Sequence, residues 1–291
     1  MPELPEVETV KRGLDKLIVG RAVVSASSDN AKSFPNSLAD VKAFLVGASV
    51  TSVRRRAKVL MIDLSSGYTL VVHLKMTGQL VFVEDFSRFG AGHPSDSLIG
   101  NLPDKSTRVT IEFSDGSHLY FNDQRKFGWV RLMPTVEVPN IDFMKRVGPE
   151  PLEADFTAAQ FADRFKRRAR TTIKAALLDQ SVIAGVGNIY ADESLWGAKI
   201  HPSRLVGSIT SAEFKKLYTE VRAVMNLSID KGGSTNRNYV NAEGKRGSYM
   251  DFARVFRREG LECPRCGTEI IKIRVAGRGT HICPVCQIAG N

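Results

Sequence analysis

The amino-acid sequence predicts an α+β, multidomain chain: an N-terminal antiparallel β-sandwich or barrel flanked by helices, a helical domain, and a C-terminal β-hairpin zinc finger. Three observations carry that prediction. Between residues 21 and 133, short alternating apolar runs (V-V-S-A, S-V-T-S-V, V-L-M-I-D-L, Y-T-L-V-V-H-L, L-V-F-V, V-T-I-E-F, H-L-Y-F, W-V-R-L) are broken by turn signals at Ser65-Ser66-Gly67 and Ser114 to Ser117. From 158 to 230 the apolar residues recur at three and four spacing. All four cysteines fall at the end of the chain, as Cys263-x2-Cys266 and Cys283-x2-Cys286 with sixteen residues between the pairs. Each C-x2-C turn presents two thiolates to one tetrahedral ion, so this spacing matches one structural zinc.

The elements follow in order. Val7, Val10, Leu14, Leu17 and Ile18 make an amphipathic helix over 6–19, stopped at Gly20. A second helix over 37–46 interrupts the strands. The stretch from Arg88 to Lys105 is rich in Gly, Pro, Ser and Asp and reads as a long surface loop. Four prolines between 134 and 151 mark a linker, giving domains at 1–133, 151–231 and 232–291 with a linker at 134–150. Helices are expected over 158–168, 171–179, 190–197 and 210–230, with Thr157 and Thr210 as N-caps. The polar segment 231–249 reads as a mobile loop.

Composition narrows the function. At 291 residues, 43% apolar and 25% charged, the chain suits a soluble globular protein. Its apolar runs, such as Leu70 to Leu74, are too short to cross a bilayer, and its acidic first ten residues do not resemble a targeting peptide, so a cytoplasmic monomer is expected. Forty-one Lys and Arg against 31 Asp and Glu leave a charge of +10, which biases the surface toward polyanions without identifying one.

Several segments have more than one reading. Initiator methionine is normally removed before a small residue, which would leave Pro2 as a secondary amine, partly unprotonated near neutrality and able to attack a carbonyl-like carbon, with Glu3 and Glu6 nearby as proton donors or acceptors. The same residues also suit a solvated start whose carboxylates complement a helix dipole. Gly185-Val186-Gly187-Asn188 lies before a helix and is either a phosphate-approaching turn or an ordinary inter-helix turn. Met76, Arg125 and Phe127 sit at strand tips beside cations, where they could enter a base stack or simply be core and solvated residues.

MPELPEVET at the start, GPEPL at 148–152, DQSVIAGVGNIYADE at 179–193, IHPSR at 200–204, YVNAEGKRGSY at 239–249 and the four-cysteine ribbon, in this order along the whole chain, resemble the bacterial formamidopyrimidine-DNA glycosylase family. Leu4, where the related endonuclease VIII group usually has glycine, favours the purine-repair branch, as do Met76, Arg125 and Phe127. The resemblance implies a helix-two-turn-helix domain before the zinc finger. It also implies a bifunctional glycosylase and abasic-site lyase of base excision repair, acting on double-stranded DNA that carries oxidised purines or abasic sites. An endonuclease VIII-like pyrimidine enzyme and a non-catalytic damage-binding protein are the alternatives. By resemblance Pro2 is the nucleophile, Glu3 the proton shuttle and Glu6 a support, while Lys58 and Arg278 serve the eliminations. His73, Asn188 and Arg170 hold the DNA backbone, and Met76, Arg125 and Phe127 fill the gap left by a flipped nucleotide. The loop 231–249 covers the extruded base. The chain departs from the family pattern in its long 88–105 stretch, in Gln124 before Arg125, and in Ser106, a DNA-contact position where histidine is common.

Overall fold

The computed structural model describes residues 1–85, 87–233 and 248–289 and divides the chain into two compact units. The first comprises Met1–Lys145 with the segment Lys231–Ser248. The second comprises Arg146–Asp230 and Tyr249–Asn291.

In the first unit, α1 (Leu4–Ile18) begins two residues earlier than its periodicity predicts. Pro5 fits the first turn, where its missing N–H would have had no helical partner, and the Glu6 carboxylate accepts the Glu3 N–H at 2.8 Å. Leu4, Val7, Val10, Leu14 and Ile18 are at most 1% exposed and form the helix's inner face. β1 (Val23–Ser28) follows, then a short helix α2 (Leu38–Asp40) that continues as a π turn over Val41–Leu45.

Two antiparallel sheets make a sandwich. One contains β2 (Val50–Arg56), β3 (Val59–Leu64), β4 (Tyr68–His73) and β9 (Trp129–Pro134). The other runs in the order β1, β7 (Thr107–Phe113), β8 (His118–Asp123), β5 (Gly78–Glu84), β6 (Ser87–Gly92). Ile62, Leu70, Val72 and Val130 from the first sheet join Leu80, Phe82, Val109 and Phe121 from the second in one core.

The 88–105 stretch is only in part the surface loop its composition predicts, over 93–105. Residues 87–92 form edge strand β6, paired with β5 from Glu84↔Ser87 to Gln79↔Gly92, and Leu98 is buried against Val81 and Tyr120. Its glycines serve close packing: a Cβ on Gly90 would lie 3.0 Å from Leu98 Cδ2, and one on Gly92, at φ +128, would lie 2.6 Å from the Gly78 carbonyl oxygen.

The predicted linker contains a 3-10 turn over Thr135–Asn140 and α3 (Asp142–Arg146). Val138, Ile141, Phe143 and Met144 pack on the outer face of the four-stranded sheet beside Val59, Met61 and Val71.

The second unit contains α4 (Ala158–Lys166), α5 (Ile173–Leu178), α6 (Asn188–Ala198), α7 (Ser211–Asp230) and the hairpin β10 (Ile271–Val275) with β11 (Arg278–Ile282). Thr157 and Thr210 both cap as predicted, accepting N–H bonds from Gln160 and Glu213. The sequence reading separates the helices from the ribbon, whereas the structure packs them as one unit. α6 is the reason. Every residue from Tyr190 to Ala198 is buried, including Asp192 and Glu193, both fully inaccessible. A buried carboxylate is tolerated only with partners, and these two take them from α5 and from the segments that lead into and form the ribbon. The Glu193 carboxylate accepts N–H bonds from Arg254, Val255 and Phe256 at 2.8–3.1 Å and the Tyr249 hydroxyl at 3.2 Å. Asp192 pairs with Lys174, itself 0% exposed, at 2.5 Å and accepts the His281 N–H at 2.9 Å. Among the described residues no helix is long and apolar enough to cross a membrane.

Candidate active site and nucleic-acid interface

The strand register places the first-unit candidates at one end of the sandwich. Arg56↔Val59, Val59↔His73 and His73↔Trp129 are the terminal pairs of their ladders in one sheet, and Gly78↔Asp123 ends the β5–β8 ladder in the other. The β2–β3 turn with Lys58, the β4–β5 crossover with Met76 and the β8–β9 crossover with Arg125 and Phe127 therefore emerge together.

α1 points its N-terminus the same way. Gly20, past its C-terminus, donates to the Val50 carbonyl at the far end of β2, Asp15 accepts the Val53 N–H, and Glu8 bonds Arg55 at 2.8 Å. Arg55 in turn donates to the Ala57 carbonyl at 3.0 Å, tying the helix to the Lys58 turn. Burial alone would raise the Glu8 carboxyl, but hydrogen bonds from Arg55 and Arg12 outweigh it and hold the group below the usual range. Pro2, Glu3 and Glu6 are buried at this end, and Lys58 is 6% exposed. The backbone of Gly233, at φ +92, passes close to Glu6: a Cβ there would lie 3.3 Å from Glu6 Cγ.

His73 has a defined chemical state. Burial, then the charges of Lys75 and Lys58, push its imidazole down to about 3, so the ring is neutral at physiological pH. Nδ1 accepts the Lys75 N–H at 3.0 Å, which puts the ring proton on Nε2. His73 thus offers a neutral N–H donor, not a cation.

The crossover tips differ in exposure. Phe127 is 53% exposed and carries the Arg125 guanidinium over its ring at 4.6 Å, while Met76 is half-buried. Ser106 corrects the sequence expectation of a DNA contact. It is 3% exposed, and its hydroxyl is taken up by Asp104 at 2.7 Å and Ser97 at 2.9 Å, so it has no surface to offer a phosphate.

The second unit gathers the remaining candidates. In the turn before α6, Gln180 accepts the Gly185 N–H at 3.0 Å and donates to the Val186 carbonyl at 2.8 Å, while Gly185 adopts φ +79. Asn188 then opens the helix. Its amide donates to the Gly279 carbonyl at 3.0 Å, and its Oδ1 is buried with no hydrogen-bond partner among the described residues. Lys174 reaches the same hairpin through Thr280 Oγ1 at 2.7 Å and the Gly279 carbonyl at 3.3 Å. These bonds fix the tip on which Arg278 stands exposed. Arg170, just before α5, is also exposed. Asp192 and Glu193 close the DQSVIAGVGNIYADE segment that carries the resemblance, but their buried partners, Lys174 among them, have no signal in the sequence.

The four cysteine sulfurs lie within 4.8 Å of one another, with Cys266 Sγ 3.5 Å from both Cys283 Sγ and Cys286 Sγ. A tetrahedral ion with Zn–S bonds of about 2.3 Å requires sulfurs roughly 3.8 Å apart, so the set fits one structural zinc. Its inner side is lined by Trp196, Val255 and Ile270, and Arg265 stacks on the Trp196 ring at 3.9 Å. Residues 234–247 of the expected covering loop lie outside the described residues.

Residues 1–130 match the formamidopyrimidine-DNA glycosylase N-terminal domain, 147–239 its H2TH domain, and 260–288 the zinc finger found in FPG and IleRS. Formamidopyrimidine-DNA glycosylase of Herpetosiphon aurantiacus is 43% identical over 292 residues, spanning 99% of this chain and 100% of the relative. The chain belongs to the formamidopyrimidine-DNA glycosylase family. The enzyme of that name from Pelotomaculum thermopropionicum is 40% identical over 295 residues, 99% of each chain. Among solved structures, a Lactococcus lactis FPG mutant bound to Fapy-dG-containing DNA matches with a TM-score of 0.86 at 34% identity, over 99% of this chain and 100% of that one. The wild-type Lactococcus lactis protein bound to DNA containing an oxidised pyrimidine matches with a TM-score of 0.84 at 34% identity and the same coverage.

Proposed function

We propose that this chain is a bifunctional DNA glycosylase and abasic-site lyase of base excision repair that removes oxidised purines, 8-oxoguanine and formamidopyrimidines, from double-stranded DNA. The observation that carries the reading is the convergence of the Pro2–Glu3 N-terminus, Lys58 and His73 with the crossover tips at one end of the sandwich, in a chain of this family.

With Met1 removed, the Pro2 nitrogen attacks C1′ of the damaged nucleoside. The N–C1′ bond forms as the glycosidic bond breaks, and the base leaves with its electron pair and gains a proton. Glu3 protonates the sugar ring oxygen as the ring opens to the imine. The imine draws electrons from C1′ and acidifies the 2′ hydrogen. Its loss as a proton forms the C2′–C3′ double bond and expels the 3′ phosphate, and a second elimination expels the 5′ phosphate. Lys58 and Arg278 bind the phosphates flanking the lesion and assist these eliminations, and Glu6 holds Glu3 through the helix cap. Arg170, Asn188 and the neutral His73 bind the DNA backbone. Met76, Arg125 and Phe127 fill the space left when the nucleotide leaves the stack, offsetting an unstacking cost of a few kcal/mol. Zinc supplies no step of the chemistry; bound by Cys263, Cys266, Cys283 and Cys286, it orders the hairpin. The domains act as a catalytic sandwich (1–133), a linker (134–150), a DNA-binding helical domain (151–231) and a capping loop with zinc finger (232–291), at the nucleoid in the cytoplasm.

Borohydride reduction during turnover tests this. Wild-type protein is expected to give a covalent adduct with lesion DNA whose mass includes Pro2 at the N-terminus. Pro2→Gln, which retains Met1, is expected to give none. An equal adduct from protein that still bears Met1 would refute the nucleophile. The oxidised-pyrimidine complex of the Lactococcus lactis relative makes pyrimidine lesions the second substrate class to include in the same assay.

A further inference from the structure

Asp123 is fully buried between the two crossover tips. Its Oδ1 accepts the Thr77 hydroxyl, one residue beyond Met76, and the Arg125 N–H at 3.1 Å; its Oδ2 accepts the Gly128 N–H at 2.6 Å. Thr77 Oγ1 also accepts the Arg125 N–H at 3.1 Å. One carboxylate therefore bonds both tips at their bases, and the two tips also bond each other. Its own main chain is braced from the other side. The Asp123 N–H donates to the Ser106 carbonyl at 2.7 Å, and its carbonyl accepts Arg108 Nε at 3.1 Å. Arg108 is only 5% exposed and is itself paired with Asp29.

This bracing has a physical purpose. Lys75 and Lys126, on the two tips, sit at φ +51 and φ +57, a left-handed conformation that L residues keep only where surrounding bonds enforce it. Gly128 is required because a Cβ there would lie 2.7 Å from the Phe121 ring and 3.1 Å from Asp123 Oδ2. An exposed Phe127 on an unbraced tip would lose on insertion the conformational freedom that Asp123 and Thr77 have already removed.

We propose that Asp123, acting with Thr77, is a positioning residue that locks the Met76 tip and the Arg125–Phe127 tip into one preformed unit, so that they enter the base stack together. The inference rests on the reading of these tips as stack-filling. It is tested by the rate at which a 2-aminopurine placed beside a tetrahydrofuran abasic analogue becomes fluorescent as its stack opens, measured alongside affinity for undamaged duplex, which needs phosphate contacts only. Asp123→Asn turns one acceptor oxygen into an NH2 facing donors, and Thr77→Val removes the hydroxyl at constant volume. Both are expected to slow the fluorescence rise at least tenfold while undamaged-duplex affinity changes less than threefold. Phe127→Ala is the reference. If it slows the rise and neither anchor variant does, the anchor is wrong and the stack-filling reading stands. If Phe127→Ala leaves the rate unchanged, the reading falls and takes the anchor with it. An equal loss on undamaged duplex would make Asp123 merely structural and overturn the proposal. Should Asp123→Asn fail to fold, Thr77→Val decides alone.

Discussion

The two units hold their functional groups by different means. In the first, the candidate groups lie where strands end, and each is placed by ladder register and a few hydrogen bonds, with Phe127 and Arg125 left in solvent. In the second, the groups near the DNA-facing candidates are hung from a helix that is buried along its length, through charges with no access to water at all. The contrast shows two uses for an ionisable residue. At the sandwich end the Arg125 charge is left in solvent while the Asp123 carboxylate is used in bracing the tips. In α6 charge is consumed internally, so that Asp192 and Glu193 work as fasteners for the hairpin and for the segment around Arg254.

Removing zinc is expected to sharpen this contrast most, because metal binding in isolated fingers is worth about 10–16 kcal/mol and most of it orders the fold. The sequence division, with no metal ligand before Cys263, predicts that Cys266→Ser leaves the first 230 residues folded. The structure predicts otherwise. Trp196 of α6 packs on Cys263 and Cys283, so the loss should loosen the helices as well while sparing the sandwich. The chain has two tryptophans, and in a Trp129→Phe background the emission of Trp196 should shift to the red in Cys266→Ser. Unshifted emission would restore the sequence division.

Breaking a buried pair comes next. Asp192→Ala strands the Lys174 ammonium and should cost about 3–5 kcal/mol in denaturant unfolding, with much of the loss recovered in the double variant Lys174→Met, Asp192→Leu. The partly exposed Glu8–Arg55 pair of the first unit should be cheaper to break, with Glu8→Gln costing about 1 kcal/mol. Equal costs would remove the distinction between the units.

The last effect is read as a slope. The His73 pKa is lowered on folding, so the unfolded chain binds the proton first as pH falls. Stability from this residue is complete above about 6.5 and is lost between there and about 3. Relative to His73→Gln, wild type should lose up to about 1.4 kcal/mol of stability per pH unit across that window. Since a neutral donor releases no counterion, the same variant should weaken DNA binding without changing its salt slope. A shallower salt slope in His73→Gln would mean that the ring binds as a cation.

Much of this was legible in the chain. Helices α1, α4 and α7 follow from apolar spacing, with Thr157 and Thr210 capping the last two, because burying one face imposes a period that survives in any single sequence. The C-x2-C pairs are equally local, since two thiolates of one turn must share an ion. Composition failed where glycine means close approach rather than a turn, as at Gly90 and Gly92 in β6. The resemblance misled at Ser106, whose polar side chain is satisfied inside by Asp104 and Ser97.

What the sequence determined by itself is therefore the set of elements and the chemistry each carries, because periodicity, caps and ligand spacing act over a few residues. Only the tertiary structure decided which of those groups meet. Asp123 lies 46 residues from Thr77, and Asp192 lies 89 residues from His281. Such partners are chosen by strand register and by the need to satisfy every buried charge, conditions imposed by the folded chain as a whole.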